Sequence, residues 1–189
     1  MLPARGRFDD LAAVLGRRRG GPGGCWCTAY RDARVPDGER PAYVRALCDE
    51  DPGPGGLAYL DGEVAGWCSV APRSTYRRLV RSRTIPALDE RDPWSLVCVV
   101  VLPAFRRRGL VHVLLDGAVE HARTHGVDVV EGYPAETAGT RMDTVSAYVG
   151  TVELVEAAGF HRAARTSAHS GGRERWLVRR ELTGPVRPG

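Results

Sequence analysis

Lysine, asparagine and glutamine are all missing from this 189-residue chain, so every one of its 27 Lys/Arg-type cations is an arginine. Without lysine there is no Gly-x-x-x-x-Gly-Lys loop, which excludes the P-loop way of cradling a nucleotide. The stretch "RRRGLVHV" also lacks the Gly-x-Gly-x-x-Gly of a dinucleotide turn. No apolar run approaches the roughly 20 residues that a bilayer-spanning helix needs. The opening "MLPARGRFDDLAAVLG" is broken by charge and does not read as a signal peptide, so a cytoplasmic location with no membrane partner is expected.

Cysteine is present but in the wrong pattern for metal. Cys25, Cys27, Cys48, Cys68 and Cys98 are odd in number, and Cys25-Trp26-Cys27 has no second Cys or His pair to complete four zinc ligands. Reduced thiols and no metal are expected, with Cys68 and Cys98 acting as small buried hydrophobes. The net charge of +4 and the sequence pI near 9.0 raise the question of nucleic acid. Arg runs from Arg5 to Arg187 with acids interleaved, which is a solvated-surface pattern, and no nucleic-acid partner is expected.

What is present reads as one mixed α/β domain over 1–189, with a core of about 7–182 and a flexible tail at 183–189. "RFDDLAAVLG" has helical spacing and a glycine stop. "RRRGGPGG" is a loop because Gly and Pro interrupt either ladder, and "PAYVRALCDEDPGPGG" is a second helix with Pro41 at its start. "GLAYLDGEVAGWCSVAP" is a hairpin turning at Asp61-Gly62, and "STYRRLVRSR" is a short helical connection. "WSLVCVVVLP" is a strand apolar on both faces. The period then becomes helical over 109–124, with Leu110, Val113, Leu114, Gly117, Ala118 and His121 on one face, and His112, His121 and His125 are expected at the surface or its edge. "VDVVEGYP" is a strand, "SAYVGTVELVEAAGF" a helix stopped at Gly159, and the tail two strands joined at Gly171-Gly172.

The sequence RRRG occurs twice, at 17–20 and at 106–109. The first sits in the glycine loop and reads as solvated. The second follows a strand that Pro103 ends and runs straight into a helix. Its first-turn N–H groups are therefore unpaired at the positive end of the helix dipole, an anion site that Arg106, Arg107 and Arg108 reinforce and Gly109 leaves open.

"V-x-P-x-x-R-R-R-G-L" from Val101 to Leu110, followed by that helix, resembles the acyl-CoA signature of the GNAT N-acetyltransferase superfamily, Arg/Gln-x-x-Gly-x-Gly/Ala. Arg106 and Gly109 match, and Val111 stands where the family prefers Gly or Ala. "LVEAAGFHRAAR" is similar to the family's late helix and "WLVRREL" to its closing strand. "GCWCTAY", "GWCSVAPRS" and "EGYPAET" resemble a bacterial subgroup, its Cys-Trp-Cys segment near the N-terminus, so the likeness covers about 7–182. It implies a central mixed, mostly antiparallel sheet flanked by helices.

It also implies acetyl-CoA as cosubstrate, with no metal. Main-chain groups of Cys98, Val99 and Val101 would hold the pantetheine arm and polarise the thioester. The N–H groups of Arg106, Arg107, Arg108, Gly109, Leu110 and Val111 would bind the pyrophosphate. The acetyl group would pass to a primary amine by direct attack in a ternary complex, the amine belonging to a small molecule or a peptide. A homodimer is compatible with the resemblance.

Two of the family's acid–base positions are not matched. Val155 stands where members carry a Tyr that protonates the leaving thiolate, and the central strand has no Glu. The candidates left are Glu131 as base and Tyr148, placed where many members have a CoA-contacting Asn. Those departures motivate the alternative of a non-catalytic acyl-CoA sensor of the same fold.

Overall fold

In a computed structural model the chain is described over residues 1–16, 24–137, 139, 148 and 150–182. The first RRRG, most of the 138–149 loop and the tail at 183–189 lie outside the described residues. Thirteen helices and strands are named here: β1 (Leu2–Pro3), α1 (Phe8–Gly16), α2 (Thr28–Arg31), α3 (Arg40–Asp49), β2 (Gly56–Leu60), β3 (Glu63–Pro72), α4 (Arg77–Val80), β4 (Trp94–Val101), α5 (Leu110–Thr124), β5 (Val129–Gly132), α6 (Val152–Ala157), β6 (His161–Ser170) and β7 (Arg173–Glu181). The strands form one sheet in the order β1-β2-β3-β4-β5-β7-β6, antiparallel at every step except β4 beside β5. This is the mixed, mostly antiparallel α/β domain expected.

Local chemistry accounts for the turns. Asp61 and Gly62 both take positive φ, 52° and 81°, the two left-handed residues that a tight hairpin between twisted strands requires. Gly171 and Gly172 do the same between β6 and β7. Thr151 caps α6, its hydroxyl accepting from the Leu154 amide, so that helix begins at Val152. The helix expected from Ser146 is therefore shorter than its pattern, and Ser146, Ala147 and Val149 lie outside the described residues.

Helix α5 crosses one face of the sheet. Leu110, Leu114, Leu115, Ala118, Val119 and Ala122 are buried against residues of β2, β3, β4, β5 and β7. The face is rotated from the one expected: Leu115 and Val119 are inside, and Val113 is 45% exposed. Two apolar stripes compete along this helix, and the sheet selects one. His121 is buried rather than on the surface, edge-on to Trp94 with ring centroids 5.0 Å apart. Burial pushes its pKa down. The opposite face of the sheet carries a second cluster that includes Tyr30, Tyr76, Val97, Cys98, Tyr133 and Leu177.

Leu114 is wholly buried where α5 meets β3, close to Gly66. Leu114→Ala is expected to destabilise the domain by about 2–5 kcal/mol, seen as a lower urea midpoint with an unchanged slope.

Candidate active site

The site is built where β4 keeps one neighbour and loses the other. With β5 it pairs only at Trp94, Ser95 and Leu96, opposite Val130, Glu131 and Gly132. With β3 it stays paired to Val101. Two local features separate the strands. The β3–β4 register skips Val97 between Ser69 and Val70, a bulge that bends β4 just where the β5 pairing stops. On the other side Pro134 has no N–H to continue a ladder. Its carbonyl accepts instead from the Trp176 amide of β7.

Strand alternation sets what faces the gap. The Leu102 amide donates to the Ala65 carbonyl at 2.9 Å, so the main-chain groups of Val100 and Cys98 also point to β3. Those of Val99 and Val101 point the other way. The Val101 carbonyl there accepts from Arg106 Nε at 3.4 Å. Cys98 is thus a correction to the expected set: its main chain belongs to the β3 ladder, and its thiol donates to the sulfur of Cys27. Trp67 Nε1 donates to the same sulfur at 3.2 Å, and these bonds pull the Cys27 thiol below its usual range. All five cysteines are free.

Beyond β4 a single turn at Pro103–Phe105 leads into the second RRRG. Arg107 and Gly109 both have positive φ, 61° and 74°, separated by Arg108. Alternation of this kind gathers successive N–H groups into one concavity. The first helical acceptor, the Gly109 carbonyl, is taken by the amides of His112 and Val113. Among the described residues the amides of Arg107, Arg108, Gly109, Leu110 and Val111 have no main-chain acceptor. The side chains of Arg106, Arg107 and Arg108 are exposed and make no ion pair among the described residues. Nothing lies within 4 Å of where a Cβ on Gly109 would sit, so glycine serves the backbone angle and leaves the space open.

The two acid–base candidates lie apart from each other. Glu131 is 0% exposed. Its Oε1 accepts from Arg73 Nη1 at 2.7 Å and from the Tyr133 hydroxyl, and its Oε2 accepts from Arg179 Nε at 3.3 Å. A base must reach the proton it takes, directly or through one water. Shut in between two guanidiniums, Glu131 does not have the geometry of the expected base. Arg73 also donates to the carbonyls of Leu79 and Ile85, so the carboxylate ties β5 to β7 and to the 73–85 connection. Burial and the neighbouring Glu131 carboxylate push the Tyr133 phenol well up. Sequence reasoning missed Arg73 and Arg179 as partners, because no spacing rule links residues 58 and 48 positions apart.

Tyr148 lies against the second cluster with Cys27 and Val100. Its phenol is bonded to Tyr30, whose oxygen accepts from Arg175 Nη1 at 2.6 Å. Burial first, then Tyr30, pushes the Tyr148 pKa up to about 12.

The model of the acetyltransferase (GNAT) family matches residues 24–140. The chain belongs to that family. GNAT membership supports acyl transfer from CoA in general. A ribosomal-protein-alanine N-acetyltransferase from Brucella melitensis is 19% identical with a TM-score of 0.57, over 93% of this chain and 96% of its own. Ard1 from Thermoplasma volcanium is 16% identical with a TM-score of 0.54, over 94% of both chains. The NatC complex bound to Gag peptide and CoA is 13% identical with a TM-score of 0.52, over 94% and 91%. At these identities the likeness is one of fold. No curated protein matches the sequence. Among the described residues there is no metal-ligating cluster and no helix long and apolar enough to cross a membrane.

Glu131→Gln leaves two buried guanidiniums facing a neutral amide. It is expected to lower stability by about 3 kcal/mol, read by urea denaturation, while acetyl-CoA affinity in the folded fraction stays near wild type.

Proposed function

We propose that the protein is an acetyl-CoA-dependent N-acetyltransferase that passes the acetyl group to a primary amine by direct attack in a ternary complex. The observation that carries this reading is the pairing of an opened β4 with a concavity of unused amides at the start of α5. An acyl-CoA is a long ligand with an apolar arm, amide groups and an anionic pyrophosphate. The amides of Arg107, Arg108, Gly109, Leu110 and Val111 suit the pyrophosphate, with the Arg106, Arg107 and Arg108 side chains adding charge. The main chain of Val99 and Val101 suits the arm and the thioester carbonyl, with orientation and oxyanion stabilisation as the catalytic contribution.

Proton transfer is the lesser part of this mechanism. A phenol pushed up to about 12 is a weaker acid than a thiol of about 8.5, so Tyr148 is a poor proton donor to the leaving sulfur. The amine attacks as its free base, which for a group of pKa about 10.4 is roughly one molecule in 2,500 at pH 7. The acceptor is an amine of a small molecule or a peptide, in keeping with the peptide held by NatC.

Steady CoA release across a panel of amines tests the activity. Tight acetyl-CoA binding without turnover on any amine class would favour the sensor, the reading that the enclosed Glu131 and the Val155 position support. With alkylamine acceptors kcat/KM is expected to climb about tenfold per pH unit from 7 to 9. A flat profile there would place a base in the protein. Gly109→Glu puts bulk and negative charge into the concavity and is expected to weaken acetyl-CoA binding at least tenfold by calorimetry. Gly109→Ala serves as the control for strain at the positive φ.

A further inference from the structure

Among the described residues Arg175 is a buried cation without an acid. It stands on β7, 4% exposed. Its Nε donates to the Tyr133 carbonyl at 2.7 Å and its Nη1 to the Tyr30 hydroxyl at 2.6 Å, both neutral acceptors. Its Nη2 is closed off from solvent and has no hydrogen-bond partner. The comparison inside the same molecule is telling. Arg73 and Arg179, equally buried, share the Glu131 carboxylate, and Arg31, also buried, directs both terminal nitrogens at neutral oxygens. Arg175 alone of these four has a buried nitrogen left over.

The surroundings add positive charge rather than remove it. The Arg78 guanidinium lies 5.4 Å from the Tyr30 ring centroid, on the ring that Arg175 also approaches at 5.9 Å. Among the described residues neither Arg78 nor Arg175 is in an ion pair. An enclosed guanidinium with an unused N–H and no counter-charge is costly unless an anion completes it. A planar carboxylate fits best, because one of its oxygens takes an N–H of the fork in line.

The position assigns that anion to the acceptor. Arg175 is anchored on the carbonyl of Tyr133, the first residue past β5, where the sheet has opened. From it the row Arg175, Tyr30, Tyr148 leads to the cluster shared with Val100 of β4. We infer that Arg175 receives a carboxylate of the acceptor, so that the substrate is an amine that also carries a carboxylate, an amino acid or a peptide of comparable charge. One oxygen takes Nη2, which the entering ligand must uncover; the other takes the Tyr148 O–H in place of its bond to Tyr30. The amine is then left free to face β4. This rests on the acetyltransferase reading and names its substrate class.

The test uses the full chain saturated with CoA and a panel of N-acetyl amino acids, the products expected, each beside its C-terminal amide. Calorimetry is expected to show that the best-bound carboxylate exceeds its amide at least tenfold in affinity. Arg175→Met should erase that difference, and Arg175→Lys should keep part of it, with CoA affinity unchanged in both. Equal binding of acid and amide, no binding of any member, or a preference that survives Arg175→Met would overturn the inference. Should Arg175→Met not fold, Tyr148→Phe serves: a preference unchanged in that variant counts against the two-donor cradle. CoA and acetyl-CoA binding by the wild type, measured first, separates the readings. Its absence defeats the acetyltransferase proposal, whereas its presence without a carboxylate preference defeats only this one.

Discussion

The parting of β4 from β5 is the constraint on which the rest of the structure depends. A strand inside a sheet normally has both edges paired, and unpaired main-chain groups are expensive when buried. Here the bulge at Val97 and the missing amide of Pro134 end the pairing after Leu96, while β3 holds the other edge of β4 to its end. The main-chain groups of Val99 and the Val101 amide therefore face the gap, beside a strand whose other edge stays paired. The same strand delivers the chain into the turn that begins α5, so an open edge and an amide concavity follow each other within ten residues.

Holding such a gap open needs bracing on the β5 side, and the Glu131 cluster supplies it. Two guanidiniums and a phenol meet one carboxylate, and through Arg73 and Arg179 the cluster reaches the 73–85 connection and Asp89. Buried ion pairs of this kind add little net stability but penalise any arrangement that separates them. Their effect is to specify where β5 ends relative to β7. Arg175, just beyond that end, is the contrasting case, a buried guanidinium that the fold itself leaves incomplete.

Much of the architecture was legible because its signals are local. Asp61-Gly62 and Gly171-Gly172 mark hairpins by the angles they permit, and Pro103 followed by Arg106–Gly109 marks a strand end and a helix start. The turn from β4 into α5 at the second RRRG was readable for that reason, whereas the first RRRG lies outside the described residues. The exposed face of α5 was misplaced because Val113 and Leu115 are equally apolar, and only the sheet beneath distinguishes them. Glu131 was misread for a different reason. An acid at a strand end looks the same in sequence whether it faces a cleft or two arginines.

The sequence by itself determined the order of the longer helices and strands, though not β1 or α2, together with the hairpin turns and the family. Each of these is written in a few neighbouring residues whose backbone preferences act alone. Only the tertiary structure decided which charges are buried and with what. Arg73 meets Glu131 across 58 positions and Arg175 meets Tyr30 across 145, contacts that strand order creates. An arginine-only composition makes every cation look alike in the chain. Burial makes them different, because a guanidinium removed from water must find its partner within the fold or in a ligand.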